Sequence, residues 1–88
     1  GEVRVWSAVN HATLVAQHFS EVLALRPELV IFGSGARLRF ISAALYRSLI
    51  DARIGLETMD SAAACRTYNV LAAEGRSVVA ALLPDTAR

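Results

Sequence analysis

The sequence predicts one small α/β domain with the element order β-α-β-α-β-α-β and a mostly parallel or mixed sheet covered by helices. Three observations predict this fold class. The 88 residues make a single domain over residues 1–88, with a short tail at 84–88. Short apolar runs are bounded by proline or glycine, as strands are. The segments between them carry apolar residues at helical spacing, and such alternation is typical of parallel sheets.

The first strand and the first helix follow from two spacings near the amino terminus. Val3 and Val5 alternate with charged neighbours, which predicts a short strand that ends near Trp6. Spacings of three and four then predict a helix that ends before Pro27. The apolar face of this helix is formed by Leu14, Val15, Phe19, Val22 and Leu23.

The second strand and the second helix lie on either side of a glycine-containing turn. The apolar run Leu29–Phe32 stands between Pro27 and Gly33, which predicts a strand buried on both faces. Ser42 is of a residue type that caps helices, so a second helix is expected to begin there. The apolar stripe of that helix is formed by Ile41, Leu45 and Leu49.

The last three elements carry clear boundary signals. Residues 54–59 predict a third strand, and Asp60 then stands where the N-cap of a helix belongs. Gly75 is a natural left-handed cap for the end of that helix. Residues 76–83 are rich in Val and Leu, and they predict a closing strand that Pro84 ends.

Charge and cysteine content exclude several classes of function. The net charge of +1 argues against a nucleic-acid partner, because such proteins normally carry a clustered basic face. The single Cys65 excludes an internal disulfide and a zinc site built from several cysteines. The glycine pattern matches neither a Walker loop nor a full dinucleotide fingerprint, so we expect no cofactor and no metal.

Hydropathy also limits where the protein acts. No apolar run reaches the roughly 20 residues needed to span a membrane, and the amino terminus lacks the pattern of a signal peptide. A lone thiol fits a reducing compartment, so we expect a cytoplasmic protein, or a mitochondrial one if the chain comes from a eukaryote. The apolar fraction of 55% is high for this length, and it predicts an apolar patch covered by a partner, by further chain or by self-association.

Two turns predict a candidate site at the carboxyl edge of the sheet. The turns Gly33–Arg37 and Asp60–Ala62 each follow a strand, and each is expected to lead into a helix whose N–H groups favour an anion, with Arg37 or Arg39 adding charge. In the alternative, the glycines only shape a tight turn. The ligand-binding candidates are Gly33, Gly35, Arg37, Asp60, Cys65, Arg66 and Asn69.

Cys65 is the candidate for a catalytic nucleophile. It lies near the start of the third helix, beside Arg66, and Asn69 shares its helix face. A thiol near a helix N-terminus and an arginine is a reactive type. In the alternative, Cys65 is a small buried hydrophobe among alanines.

Three further polar residues have structural interpretations. Glu57 lies within a predicted strand, where a buried carboxylate needs an arginine partner, so a structural ion pair is expected rather than a catalytic acid. The candidate partners are Arg37, Arg47 and Arg66. His11 is expected to cap the first helix and His18 to lie on its solvent face, and without a nearby carboxylate they make no metal site.

Two strings of residues carry a family resemblance. They are Pro27–Arg37, with its Gly-Ser-Gly-Ala-Arg turn, and Met59–Leu71, with its Ala-Cys-Arg-Thr-Tyr-Asn core, followed by Ala73–Arg76. In combination they resemble the adipogenesis-associated Mth-like domain family, in particular its bacterial members, over roughly residues 6–83. The resemblance implies the Mth-like fold. Because family members carry further strands before the position of Trp6, it also implies a chain truncated at its amino terminus.

The resemblance also implies a class of function. The family includes the third assembly factor of mitochondrial respiratory complex I, which acts through protein contacts. The expected function is therefore a protein-binding or assembly-factor-like module without catalysis. The alternative is a small-anion-binding or thiol-dependent enzymatic site at the carboxyl edge of the sheet. A protein partner or self-association is expected, a small anion is a further candidate, and neither nucleic acid nor membrane insertion is expected.

Overall fold

The described part of the chain has three strands that alternate with three α-helices. The computed structural model describes Trp6, Ala8 and residues 10–84, so the predicted strand at residues 3–5 lies outside the described residues. The α-helices are α1 (Ala16–Leu23), α2 (Arg47–Asp51) and α3 (Ser61–Ala73), and the strands are β1 (Leu29–Gly33), β2 (Gly55–Met59) and β3 (Val78–Leu82). Two 3-10 helices cover His11–Thr13 and Ala43–Tyr46. The predicted α/β class is confirmed.

The sheet is parallel and has β1 at its centre. The strand order is β2-β1-β3, and in the register Ile31 lies beside Glu57 on one side and Ala80 on the other. Val30, Ile31 and Phe32 are fully buried, which confirms the prediction of a strand covered on both faces. The central position follows from this composition, because only a strand without polar side chains can be covered on both faces at no cost.

The two faces of the sheet pack against different helices. Val30 and Phe32 belong to the main core, to which α1 and α2 contribute Phe19, Val22 and Leu49. Ile31 points to the opposite face, which α3 covers. Trp6 adds an edge-to-face ring contact with Phe19 at 5.6 Å and with Phe32 at 6.1 Å between centroids. The main core therefore contains an aromatic cluster between α1 and β1.

The start of α1 corrects two predictions. The helix begins at Ala16, so Leu14 is buried before the helix and Val15 is exposed at its N-cap rather than on its apolar face. The capping histidine is His18, because its Nδ1 accepts a hydrogen bond from the Val15 N–H at 3.1 Å. His11 instead lies in the first 3-10 helix, with its Nε2 3.1 Å from the carbonyl oxygen of Phe40. His18 is the third residue of the helix, the position from which a side chain reaches back to the N-cap N–H in a capping box.

The other helix boundaries follow the predicted signals. Ser42 Oγ accepts a hydrogen bond from the Ala44 N–H at 3.3 Å, although the turn that it caps is the 3-10 helix that precedes α2. Asp60 Oδ1 accepts from the Ala63 N–H at 2.8 Å and caps α3. At the other end of α3, Gly75 has φ of 80°, in the left-handed region.

Glu57 corrects the prediction of a buried carboxylate. Among the described strands, β2 lies at an edge of the sheet, and α3 packs mainly on β1 and β3. Glu57 is therefore exposed to solvent. Among the described residues it forms no ion pair with an arginine, and it needs none because water solvates the carboxylate.

Candidate functional site

The turns that follow β1 and β2 meet at the carboxyl edge of the sheet. The Ser34 N–H donates to the carbonyl oxygen of Met59 at 2.8 Å, and the Ser61 N–H donates to the carbonyl oxygen of Gly35 at 2.9 Å. Both turns lie at this edge because β1 and β2 are parallel neighbours. The structure thus brings Gly33, Gly35 and Asp60 together, as the sequence predicts.

A buried serine joins all three strand ends. Ser61 Oγ donates a hydrogen bond to the carbonyl oxygen of Leu83 at 2.6 Å and accepts one from the Gly35 N–H at 2.9 Å. Ser61 is the first residue of α3, directly after the Asp60 cap. Its hydroxyl therefore satisfies two backbone groups in a buried position.

A second buried serine holds the chain that leaves β1. Ser34 Oγ donates to the carbonyl oxygen of Arg37 at 2.8 Å, lies 3.2 Å from the carbonyl oxygen of Met59, and accepts from the Arg39 N–H at 3.0 Å. These contacts close residues 34–39 into a compact turn. Sequence reasoning missed both serines, and their only local signal was a small polar residue at the end of each strand.

The glycines of the first turn have steric reasons to be glycine. A Cβ on Gly33 would lie 2.8 Å from Ser61 Oγ and 2.9 Å from Ser61 Cα, which is closer than such atoms approach. Gly35 has φ of 99°, where a side chain is strained. The alternative interpretation, in which the two glycines shape a tight turn, has direct support from these contacts.

The first turn does not lead into a helix, which corrects that prediction. After Arg37 the chain continues through residues 38–42 without regular structure and then enters the second 3-10 helix. Within the described residues, α3 is thus the only α-helix that starts immediately after a strand at this edge. Ser34 holds the backbone in its turn through local bonds to Arg37 and Arg39 and through a long-range contact with Met59. The sequence around the glycines gives no local sign of the contact with Met59.

Several hydrogen-bond donors at this edge already have partners within the protein. The N–H groups of Ser34 and Gly35 bond to Met59 and Ser61, and the Ala63 N–H bonds to the Asp60 carboxylate. That carboxylate already lies at the start of α3, where an anion would bind. The ligand-binding roles of the seven candidate residues stay predictions.

The remaining candidates lie on the outer surface of α3. Cys65, Arg66 and Asn69 are exposed, and the buried residue of this turn is Ala64. The interpretation of Cys65 as a buried hydrophobe is wrong. Arg37 is also exposed. Over the part of the chain that the structure describes, no group of three or more His, Cys, Asp and Glu side chains could hold a metal ion.

Ser61→Ala is expected to lower the free energy of unfolding by about 2 kcal/mol, because the Gly35 N–H and the Leu83 carbonyl would each lose a buried partner. Urea unfolding followed by circular dichroism measures the change. The matched control is Ser20→Ala, whose exposed hydroxyl makes only a 3.5 Å contact with the Ala16 carbonyl. Equal losses at the two positions would contradict a structural role for Ser61.

Cys65→Ala is expected to change the free energy of unfolding by less than about 0.5 kcal/mol, because the side chain is exposed and alanine is a good helix former. The neighbouring change Ala64→Leu is expected to destabilise by about 1–3 kcal/mol, since it overpacks a fully buried position. Thermal and urea unfolding compare the two variants. A large loss from Cys65→Ala alone would place the thiol in the core.

One feature near the site that sequence reasoning missed is a pair of exposed apolar side chains. Leu38 is 50% exposed and Phe40 is 73% exposed, the largest fraction among the exposed large apolar residues of the described chain. Both lie in the segment of four residues Arg37–Phe40, which we call the Arg37–Phe40 loop. An available sequence signal was the alternation of arginine with large apolar residues in this loop.

The chain matches one described protein family and several proteins of known structure or curated function. Residues 1–83 match the family described as "Protein of unknown function (DUF498/DUF598)". The protein named NADH dehydrogenase [ubiquinone] 1 alpha subcomplex assembly factor 3 of Danio rerio is 32% identical over 84 residues, which are 93% of this chain and 48% of the relative. The chain thus spans about half the length of the curated relatives that it matches.

Two solved structures have the same fold. The crystal structure of a Bordetella parapertussis protein superposes with a TM-score of 0.89 at 41% identity, covering 97% of this chain and 73% of that one. The solution structure of a Bordetella pertussis protein described as a Mth938-like domain gives 0.84 at 32% identity, covering 99% and 70%. These matches confirm the Mth-like fold. Among the described residues, no helix is long and apolar enough to cross a membrane.

Proposed function

Because this chain belongs to the DUF498/DUF598 family, we propose that it is a protein-binding module that acts as an assembly factor and performs no catalysis. The observation that carries the proposal is the similarity to the assembly factor of Danio rerio, which extends over 93% of this chain. An assembly factor acts by holding another protein. Its essential property is therefore a contact surface.

The hydrogen bonding at the carboxyl edge of the sheet supports a role without catalysis. Ser34 and Ser61, the two buried hydroxyls there, are both occupied with backbone groups. Within the part of the chain that the structure describes, neither forms a hydrogen bond with a histidine or a carboxylate that could activate it as a nucleophile. Cys65 is a free thiol that lies exposed on α3.

The surface composition supports a contact role. Six large apolar side chains of the described chain are more than a third exposed, and two of them lie together in the Arg37–Phe40 loop. Apolar side chains clustered on a surface are typical of interaction sites. The proposed partner is a protein that this chain holds while a larger complex is assembled.

In vivo crosslinking in the native host tests the proposal. The chain is tagged at its own chromosomal locus, and proteins crosslinked to it are quantified against an untagged strain. We expect reproducible enrichment of a small set of proteins, among them components of an NADH dehydrogenase or its assembly machinery. Deletion of the gene is expected to lower the amount of assembled complex on native gels. A protein that stays solitary in vivo would contradict the proposal.

Complementation separates this function from thiol chemistry. A deletion strain is supplied with the wild-type gene or with Cys65→Ser, which removes the thiol at an exposed position and is expected to keep the fold. We expect both genes to restore assembly of the complex equally. Failure of a folded Cys65→Ser protein would favour the thiol-dependent alternative.

A further inference from the structure

The Arg37–Phe40 loop combines two cationic and two apolar side chains on one short segment. Arg37, Leu38 and Phe40 are exposed and Arg39 is half-buried. Leu38 and Phe40 are large side chains that the folded chain leaves in water at 50% and 73% exposure. Burial of such side chains against another molecule would be favourable.

The backbone that carries these side chains is held in place. Ser34 Oγ bonds to the Arg37 carbonyl and to the Arg39 N–H, and His11 Nε2 lies 3.1 Å from the Phe40 carbonyl. The next residue, Ile41, packs against the main core. A surface held in one conformation binds with a smaller entropy loss than a mobile one.

The charged residues of the chain segment that contains the loop are of one sign. Residues 29–50 contain three arginines, Arg37, Arg39 and Arg47, and no aspartate or glutamate. Neither Arg37 nor Arg39 forms an ion pair with another described residue. Both guanidinium groups therefore remain available to carboxylates, which they bind with a matching fork geometry.

We propose that the Arg37–Phe40 loop is a docking surface for an acidic segment of a partner protein that also carries large apolar side chains. This inference rests on the proposed function and specifies the chemistry of its partner. Leu38 and Phe40 would pack against the apolar residues of the segment, while Arg37 and Arg39 pair with its carboxylates. Arginine and aromatic residues are enriched at protein interfaces in this way.

A protein segment fits this surface better than a nucleic acid or an anionic membrane. The loop contributes two arginines, and the whole chain has a net charge of only +1. Phosphate backbones and anionic lipid surfaces are normally bound by larger clusters of cations. The loop has as many large apolar side chains as arginines, and this composition instead matches a segment in which acidic and apolar residues are mixed.

Unbiased peptide selection tests the chemistry of the partner. The folded 88-residue chain is used to select from a display library of short random peptides, and the consensus peptide is then titrated into isotope-labelled protein. We expect the selected peptides to be enriched in Asp or Glu together with Leu, Ile or Phe. Amide shifts in the NMR spectrum are expected to be largest at residues 36–42. Peptides without acidic residues, or shifts elsewhere, would overturn the proposal.

Paired variants test the loop itself. The double change Leu38→Ser with Phe40→Ser is expected to weaken the affinity for the consensus peptide about 30-fold, while Val70→Ser, at a 59% exposed site on α3, leaves it unchanged. Arg37→Glu is expected to weaken it about tenfold and reduce its salt dependence, with Arg66→Glu on α3 as the matched control. Because all these side chains are exposed, thermal unfolding is expected to confirm that each variant folds.

Several results would overturn the inference. Full affinity of the double variant is one. The inference would also fail if the peptide showed no affinity and the loop instead bound another molecule. The wild type would then bind phosphatidylglycerol vesicles or a single-stranded oligonucleotide, or would form a dimer, and the double variant would not. In vivo crosslinking distinguishes the two levels of the proposal. If the double variant keeps the crosslinked partner, the assembly function stands and the loop assignment fails. If the wild type has no partner, the proposed function itself fails.

Discussion

Phe32→Ala is expected to lower the free energy of unfolding by about 3–5 kcal/mol. Phe32 is fully buried at the centre of the sheet, and its ring lies 5.8 Å from Phe19 and 6.1 Å from Trp6 between centroids. Its removal leaves a cavity between β1 and α1 that the surrounding aromatic rings can fill only in part. Since the free energy of unfolding of small domains is about 5–15 kcal/mol, this single change removes a large share of the stability.

The matched control for this prediction is Phe40→Ala, the same chemical change at an exposed position. Phe40 is 73% exposed, so we expect a change within about 0.5 kcal/mol. Guanidinium unfolding followed by far-ultraviolet circular dichroism measures both variants under one condition. Similar losses at the two positions would mean that Phe32 is not at the centre of the core.

Gly33→Ala is expected to destabilise the fold by about 3 kcal/mol, at the upper end for overpacking. The added methyl would lie 2.8 Å from both Ser61 Oγ and Leu82 Cδ2, and 2.9 Å from Ser61 Cα. Because one of these atoms belongs to the backbone of α3, the helix itself would have to move. Such a movement would also lengthen the hydrogen bonds through which Ser61 joins Gly35 and Leu83.

The control for Gly33 is Gly55→Ala, at the start of the edge strand β2. There the added methyl would approach only the flexible end of Leu29, at 3.1 Å, and the Glu28 carbonyl, at 3.9 Å. We expect a change of less than about 1 kcal/mol, because the leucine side chain can adjust. Chemical unfolding of both variants measures the two changes in the free energy of unfolding. A small change for Gly33→Ala would show that α3 does not pack tightly against β1.

Local signals account for the parts of the fold that the sequence predicts. Asp60 and Gly75 bound α3 because capping depends on the residue itself and its near neighbours. The run Leu29–Phe32 marks a covered strand because no polar side chain interrupts it. These features can be predicted without the tertiary contacts.

Long-range features account for what the sequence does not predict. The exposure of Glu57 depends on the strand order, which places β2 at the edge, and nothing within the strand indicates its position. The path after Gly35 depends on Ser34, whose N–H and hydroxyl both contact the carbonyl oxygen of Met59, 25 residues further along the chain. Each of these contacts joins segments that are brought together only by folding.

The candidate site was harder to predict than the fold because α3 is rich in alanine. Small side chains mark neither face of a helix clearly, so the sequence left open which side Cys65 occupies. The structure buries Ser61 and Ala64 and leaves Cys65 and Val70 exposed. The side of α3 on which Cys65 lies is set by the packing of the helix on β1 and β3. The residues of α3 alone do not indicate that packing.

The contact of Trp6 with Phe19 and Phe32 has a practical consequence for spectroscopy. Trp6 is the only tryptophan in the chain, and its Nε1–H donates to the carbonyl oxygen of His18 at 2.8 Å. The intrinsic fluorescence of the protein therefore comes from an indole packed on the α1–β1 core. Its emission maximum will shift to longer wavelength when water enters that contact. The formation of the core can thus be timed in rapid-mixing experiments without an added label.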